Sequence, residues 1–171
     1  FGYACLNMTL QREKPKVTCN RGMIKRTFLS KGVAYASSLA LQNTADLIRI
    51  IDWNSVHDIN VFRMTSCLFP WASEYDLEQL PDFEKIAENL ALAGEKARGY
   101  GQRLSFHPGP FNILSSPKDH VVQASYTDLE IHGRIFDLMG MPRNHWSKIN
   151  IHIGASYGDR PAALDRWCKN F

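Results

Sequence analysis

No run of apolar residues in this chain approaches the roughly twenty that cross a bilayer as a helix, and no signal sequence with a cleavage site opens it. Targeting sequences could lie outside the chain, so these absences bear only on the residues present. Paired cysteines are missing too. Cys5, Cys19, Cys67 and Cys168 are scattered without a C-x-x-C spacing, which argues against a zinc knuckle and against a dense disulfide framework. Reduced thiols in an intracellular compartment are the expectation. Charge of one sign is scarce: 20 Lys and Arg stand against 17 Asp and Glu, a formal net charge of +3. That mildly basic balance, with an isoelectric point near 8.7, accommodates a phosphate-bearing partner without demonstrating one.

What the chain does have is material for one core. At 171 residues and 44% hydrophobic content it can bury one sizeable interior, and it is too short for two ordinary domains. We expect a single domain over residues 1–171. Because the chain opens on Phe1 rather than methionine, and Phe1 already belongs to an apolar run, we expect it to start inside a longer polypeptide.

Strand and helix patterns alternate. Phe1 to Leu6 reads as a short buried strand, followed by a long loop from Asn7 to Lys31 with one short helical turn. Leu41, Ala45, Leu47, Ile48 and Ile51 recur at helical spacing within a helix predicted over Ser37 to Asn54, and Asn60 to Met64 reads as a second strand. After a loop with Pro70, Trp71 and Pro81, the residues Phe83, Ile86, Leu90, Ala93 and Ala97 mark a second helix that stops at Gly99-Tyr100-Gly101. Arg103 to Phe106 is the third predicted strand. Val122, Tyr126, Leu129, Phe136 and Met139 mark a third helix closed by Gly140 and Pro142, Lys148 to Ile151 the fourth strand, and Pro161 opens a fourth helix.

Four successive βα units imply a parallel sheet with right-handed crossovers. Eight such units in about 250 residues close a barrel, so the fold class is α/β: a partial TIM (β/α) barrel of about four units, unless the sheet is open. The last element ends at Phe171 without a cap or a following strand, and a fragment is expected.

Two apolar runs end in a histidine followed closely by glycine: Leu104-Ser105-Phe106-His107-Pro108-Gly109 and Ile149-Asn150-Ile151-His152-Ile153-Gly154. An imidazole at the carboxyl end of a parallel strand stands where such sheets keep their chemistry. His107 and His152, 45 positions apart with a helix between them, are thus expected at neighbouring strand ends facing one mouth. Neutral imidazole is a good ligand for Mn, Zn and Fe, although an isolated strand-end histidine is more often a hydrogen-bonded structural residue. The other four histidines have plainer readings: His57 before a strand, His120 and His145 in loops and His132 in the third helix are expected to be solvated or capping. Asp159 reads first as a helix N-terminal residue and Cys67 as a structural thiol. Lys14, Lys16, Arg21, Lys25 and Arg26 form a basic stretch able to neutralise phosphates, with a solvated charge run as the commoner explanation. Trp71, Tyr75, Phe111 and Tyr157 fall just after strands, where an aromatic can stack on a base, though most such residues are packing residues.

Taken together, four strings give the chain a family likeness: Gly2-Tyr3-Ala4-Cys5-Leu6-Asn7, Phe62-Arg63-Met64-Thr65-Ser66 before Pro70, Gln102 to Gly109, and Asn150-Ile151-His152-Ile153-Gly154 before Tyr157-Gly158-Asp159. The sequence resembles the UV-damage endonucleases, the UvdE family of DNA-repair enzymes, from Phe1 to Phe171. The resemblance implies an eight-unit barrel and a cluster of divalent metals, usually manganese, at its carboxyl mouth. It also implies hydrolysis of the phosphodiester immediately 5′ to a photoproduct in damaged double-stranded DNA, leaving 3′-hydroxyl and 5′-phosphate ends. By the same resemblance His107 and His152 match catalytic metal ligands, and Tyr3 and Asn7 match residues near the damaged strand. Pro110 and Phe111 stand at the lesion-probing positions where bacterial members carry glutamine and tyrosine, and Tyr157 lies in the shared His-x-Gly-x-x-Tyr-Gly string. Cys67 stands where some relatives have a ligand histidine, and Ala155 where a second glycine is usual. The family draws further ligands from later strands that this chain does not contain.

Two other readings stay open on the residues alone: a sugar isomerase or epimerase using a divalent metal, since such barrels also use strand-end histidines, and a non-catalytic remnant that binds distorted DNA. The resemblance implies a nuclear or mitochondrial protein in a eukaryote and a cytoplasmic one in a bacterium.

Overall fold

The structure, a computed structural model, describes residues 1–171. Four strands, β1 (Gly2–Ala4), β2 (Val61–Met64), β3 (Arg103–Phe106) and β4 (Lys148–Ile149), alternate with α1 (Lys25–Val56), α2 (Phe83–Gly99), α3 (Asp119–Leu138) and α4 (Arg160–Asn170). The sheet is parallel throughout and its order, β1-β2-β3-β4, follows the chain without reversal. This is the expected α/β class. No helix is long and apolar enough to cross a membrane.

Strand alternation divides the sheet into two faces of different character. Phe62 and Met64 of β2 and Leu104 and Phe106 of β3 are buried in one core with Leu47, Ile50 and Ile51 of α1, Ile86, Leu90 and Ala97 of α2, and Ile135 and Phe136 of α3. Each of these side chains larger than Ala97 stabilises the fold by about 1.5–3 kcal/mol relative to exposure. The intervening residues Arg63 and Arg103 point away from that core, and each keeps a buried Nε without a hydrogen-bond partner. Register places Ser105 beside both Arg63 and Lys148, so this second face is cationic. Close packing also explains Gly94 on α2: a Cβ there would lie 1.8 Å from the Met139 carbonyl oxygen.

The outer strands are shorter than their apolar runs. The expected strand Phe1 to Leu6 forms only over Gly2–Ala4, with Gly2 and Ala4 exposed and Tyr3 half-buried, because only β2 pairs with it and Cys5 turns into the left-handed region at φ 61°. The expected Lys148 to Ile151 pairs only over Lys148–Ile149. Asn150 N–H still donates to Phe106 O at 2.9 Å. The next rung of a parallel ladder would need an N–H at position 108, and Pro108 has none.

The first helix starts earlier than its apolar spacing predicts, at Lys25, and is broken at Gly32 (φ 63°, ψ −162°). The predicted loop therefore ends at Ile24, with its one helical turn at Leu10–Arg12. This loop is folded inward: Leu10, Val17 and Cys19 join the core. Asp46 of α1 accepts from Thr18 N–H at 3.0 Å and pairs with Arg21 at 2.7 Å, while Asn43 accepts from Arg21 N–H at 2.9 Å and donates to Leu68 O at 3.0 Å.

Candidate metal and nucleic-acid site

All four strands deliver their following loops to one end of the sheet, and His107 and His152 leave β3 and β4 there. With the ladder stopped at Pro108, both imidazoles lie just beyond paired backbone, and their Nε2 atoms are 2.9 Å apart, the rings nearly perpendicular at 87°. Burial, the neighbouring His152 and the Arg63 guanidinium all hold the His107 pKa below its ordinary value of 6.5. Neutral imidazole is the form that ligates metal. Metal–nitrogen bonds of about 2.1 Å at right angles put ligand atoms about 3 Å apart, so this pair fits two neighbouring positions around one divalent ion. The pair is a partial donor set, since no group of three or more His, Cys, Asp or Glu side chains converges anywhere in the chain. Arg63, whose charge acts on His107, enters the sequence reading only as part of the Phe62-Arg63-Met64-Thr65-Ser66 string; its alternation with buried Phe62 and Met64 is the signal that it lies on the face away from the core.

The glycine of the His-x-Gly string does more than turn the chain. Gly154 has φ 103°, and a Cβ there would meet Ser115 Oγ at 2.5 Å and Ile113 Cγ2 at 2.9 Å. The two histidine-bearing loops touch through this missing side chain. Ser115 Oγ also donates to Ala155 O at 3.3 Å.

The residues expected near DNA fall into two groups. Phe111 is 85% exposed at the tip of the loop after β3, beside exposed Pro110, and Tyr157 is 45% exposed in the loop after β4, with the Arg166 guanidinium 5.8 Å from its ring centre. Tyr3 and Asn7 instead form a relay: the Tyr3 hydroxyl donates to Asn54 Oδ1 at 2.8 Å and accepts from Asn7 Nδ2 at 3.1 Å. Asn7 is buried, and its Oδ1 accepts from the N–H groups of Thr9 and Leu10, which fixes the loop after β1. Desolvation raises the Tyr3 pKa above 10.0. Trp71 and Tyr75 are packing residues, donating to Met23 O and Pro70 O respectively. Lys14, Lys16, Lys25 and Arg26 are exposed, whereas Arg21 is taken up by Asp46. Cys67, expected to be structural, carries an exposed free thiol.

His57 caps α1 and stacks on Trp53, and Asp159, as expected, caps α4 by accepting from Ala162 N–H. His120 lies in the first turn of α3 rather than in a loop. His132 is not solvated: it is 2% exposed, edge-on to Phe106, with Nδ1 2.6 Å from Asp128 O. It shares the buried face of α3 with Ser125, Ile135 and Phe136, and that helical spacing overrides its polarity.

The model of the family described as UV-endonuclease UvdE matches residues 1–171, the whole chain. The chain belongs to the UvdE family. The chain is 33% identical to the UV-damage endonuclease of Schizosaccharomyces pombe over 173 residues, which cover 100% of this chain and 28% of that protein. With the UV DNA damage endonuclease of Bacillus cereus (strain B4264) it shares 30% identity over 173 residues, covering 99% of this chain and 53% of the relative. The crystal structure of SacUVDE superposes with a TM-score of 0.82 at 28% identity, over 99% of this chain and 54% of that one. The chain thus spans about half the length of the bacterial relative and of SacUVDE, and less of the yeast protein. The strings that give the UvdE likeness are also those that shape the mouth: Pro108 ends the ladder and Gly154 lets the second histidine loop approach the first.

Proposed function

We propose that this chain is the N-terminal half of a UvdE-type DNA-repair endonuclease, four βα units of an eight-unit TIM barrel, acting 5′ to UV photoproducts in duplex DNA. The observation that carries this reading is the 2.9 Å convergence of His107 and His152 Nε2 at the mouth of the sheet, in a chain matched over its whole length by the UvdE family. His107 and His152 would hold a divalent ion, Mn2+ on the family likeness, through neutral lone pairs, with the remaining ligands supplied by the later strands that longer relatives have room for. Such an ion supplies Lewis acidity toward the phosphodiester and toward water.

The chain's own residues do the rest. Arg63 stands beside His107, opposes its protonation and places a cation near the reacting phosphate. Phe111 and Tyr157 offer exposed aromatic surface to a base step that a lesion has already unstacked, so sequence need not be read. Lys14, Lys16, Lys25 and Arg26 can contact phosphates, and the Tyr3–Asn7–Asn54 relay holds the first loop in place. The names of the relatives do not favour the isomerase or epimerase reading.

The test uses the full-length protein on irradiated and unirradiated duplex with Mn2+. His107→Ala and His152→Ala are each expected to depress nicking at least a hundredfold, a cost of about 3 kcal/mol in the barrier, while changing affinity for damaged duplex little. Full nicking by either variant refutes the assignment. A second reading, binding without cutting by these 171 residues alone, is favoured by the absence of a third ligand among them.

A further inference from the structure

The loop after β3 is fastened on every side except at its tip. Asn112 is 5% exposed; its Nδ2 donates to Gly109 O at 3.0 Å and to Asp128 Oδ2 of α3 at 2.7 Å, and its own N–H donates to Gly109 O at 3.1 Å. Ile113 N–H donates to Ser125 Oγ at 2.9 Å. From the opposite flank α4 holds the same stretch, Arg166 Nε donating to Ser115 O and Asn170 Nδ2 to Leu114 O, both at 2.8 Å. Pro108 on one side and residues 112 and 114–116 on the other are buried. Only Pro110 and Phe111 project between them.

A free loop would pay about 1–2 kcal/mol per residue in backbone entropy to be ordered against a partner, and an ordered one has met that cost in folding. Asn112 closes the tip by gripping Gly109 O from within. Asp128 in turn fixes Asn112: the same amide nitrogen donates to both acceptors, and the carboxylate makes its bond charge-assisted. An exposed aromatic on a closed, externally anchored turn is arranged to meet a preformed gap rather than to adapt to a surface. A base step unstacked by damage presents such a gap.

We propose that Asn112 and Asp128 are positioning residues that hold the Pro110–Phe111 tip in the conformation that engages an unstacked base step, and so set discrimination between damaged and intact duplex. This rests on the endonuclease reading above. In the full-length protein, the ratio of affinities for photoproduct-bearing and undamaged duplex is measured for Asp128→Ala, Asp128→Asn and Asn112→Ala, each with Phe111 and with Phe111→Ala. Asp128→Ala and Asn112→Ala are expected to lower the ratio about tenfold, as loss of a hydrogen bond to a charged group does. Asp128→Asn, which retains an acceptor, stays within about twofold of the parent. In the Phe111→Ala background none of them lowers the ratio further, since they act only through that ring. Amide hydrogen exchange at Asn112 and Ile113 reports the tip directly; it should quicken in Asp128→Ala while Leu104 and Phe106 of β3 stay protected.

An unchanged ratio despite quickened exchange, or an equal loss with and without Phe111, overturns the proposal. Should Asp128→Ala fail to fold, Asn112→Ala decides by the same cycle. A parent that binds both duplexes equally sinks the endonuclease reading and this inference with it. A parent that keeps its preference in every variant sinks only the clamp.

Discussion

His132 and His107 are the same side chain in opposite circumstances: one is sealed against Phe106 in the core, the other stands beyond the end of a strand with a second imidazole 2.9 Å away. Residue type alone could not separate them, whereas helical spacing for His132 and strand-end position for His107 could. Burial acts on other groups with measurable effect. Cys19 is buried, and desolvation pushes its thiol from 9.0 up to about 12. Between those values the native state keeps the proton and the unfolded chain loses it, so stability falls as pH rises through the window. From pH 8 to pH 10 the loss should be about 1 kcal/mol, read as a lower urea midpoint, and Cys19→Ala should flatten the profile over that range. An identical slope in the variant would show that other groups carry it. Desolvation raises Tyr75 too and adds a decline of the same sign above pH 10.0.

Helix α2 and strand β3 form where their sequence patterns place them, because each pattern is complete in itself: a stripe at helical spacing ended by Gly99, and an alternating run ended before Pro108. The outer strands were not legible in the same way. Their length depends on hydrogen bonds offered by a neighbour far away in sequence, and β4 stops because a proline on β3 cannot donate. The start of α1 is not legible because the residues from Lys25 to Lys31, all exposed but half-buried Thr27 and Phe28, carry little apolar spacing and Gly32 interrupts the helix after them. At this scale the contact between the two histidine loops is testable. Gly154→Ala adds a Cβ at φ 103° against Ser115 and Ile113, with a strain of about 1–3 kcal/mol. Pushing the β4 loop away from the β3 loop should weaken Mn2+ binding by the full-length protein about tenfold or more, as measured by isothermal titration, with a melting temperature only a few degrees lower. Unaltered Mn2+ affinity would mean that His152 is held independently of this contact.

For the whole molecule, charge and coverage matter most. The sheet face away from the core carries Arg63, Arg103 and Lys148, and none of the three takes part in an ion pair with the acidic side chains present. In the half-barrel proposed here that face lines the lumen. Lys14 and Lys16 are exposed on the loop after β1. Lys14→Ala and Lys16→Ala should each reduce the slope of log affinity against log salt by about 0.9, equally for damaged and undamaged duplex, in filter-binding titrations. A loss confined to damaged duplex would instead assign these residues to lesion recognition, the role proposed for the tip.

The sequence by itself determined the order of four βα units, the class of the fold, the single core and the two histidine-glycine strings, because each is written in local spacing and in residue types with restricted backbone behaviour. Only the tertiary structure decided that His107 and His152, 45 positions apart, bring their Nε2 atoms to 2.9 Å, that Asn7 is buried while Phe111 projects, and that Gly154 is an inter-loop contact. Those outcomes depend on which strands become neighbours and in what register, and that is fixed by hydrogen bonds and packing between residues the chain keeps far apart.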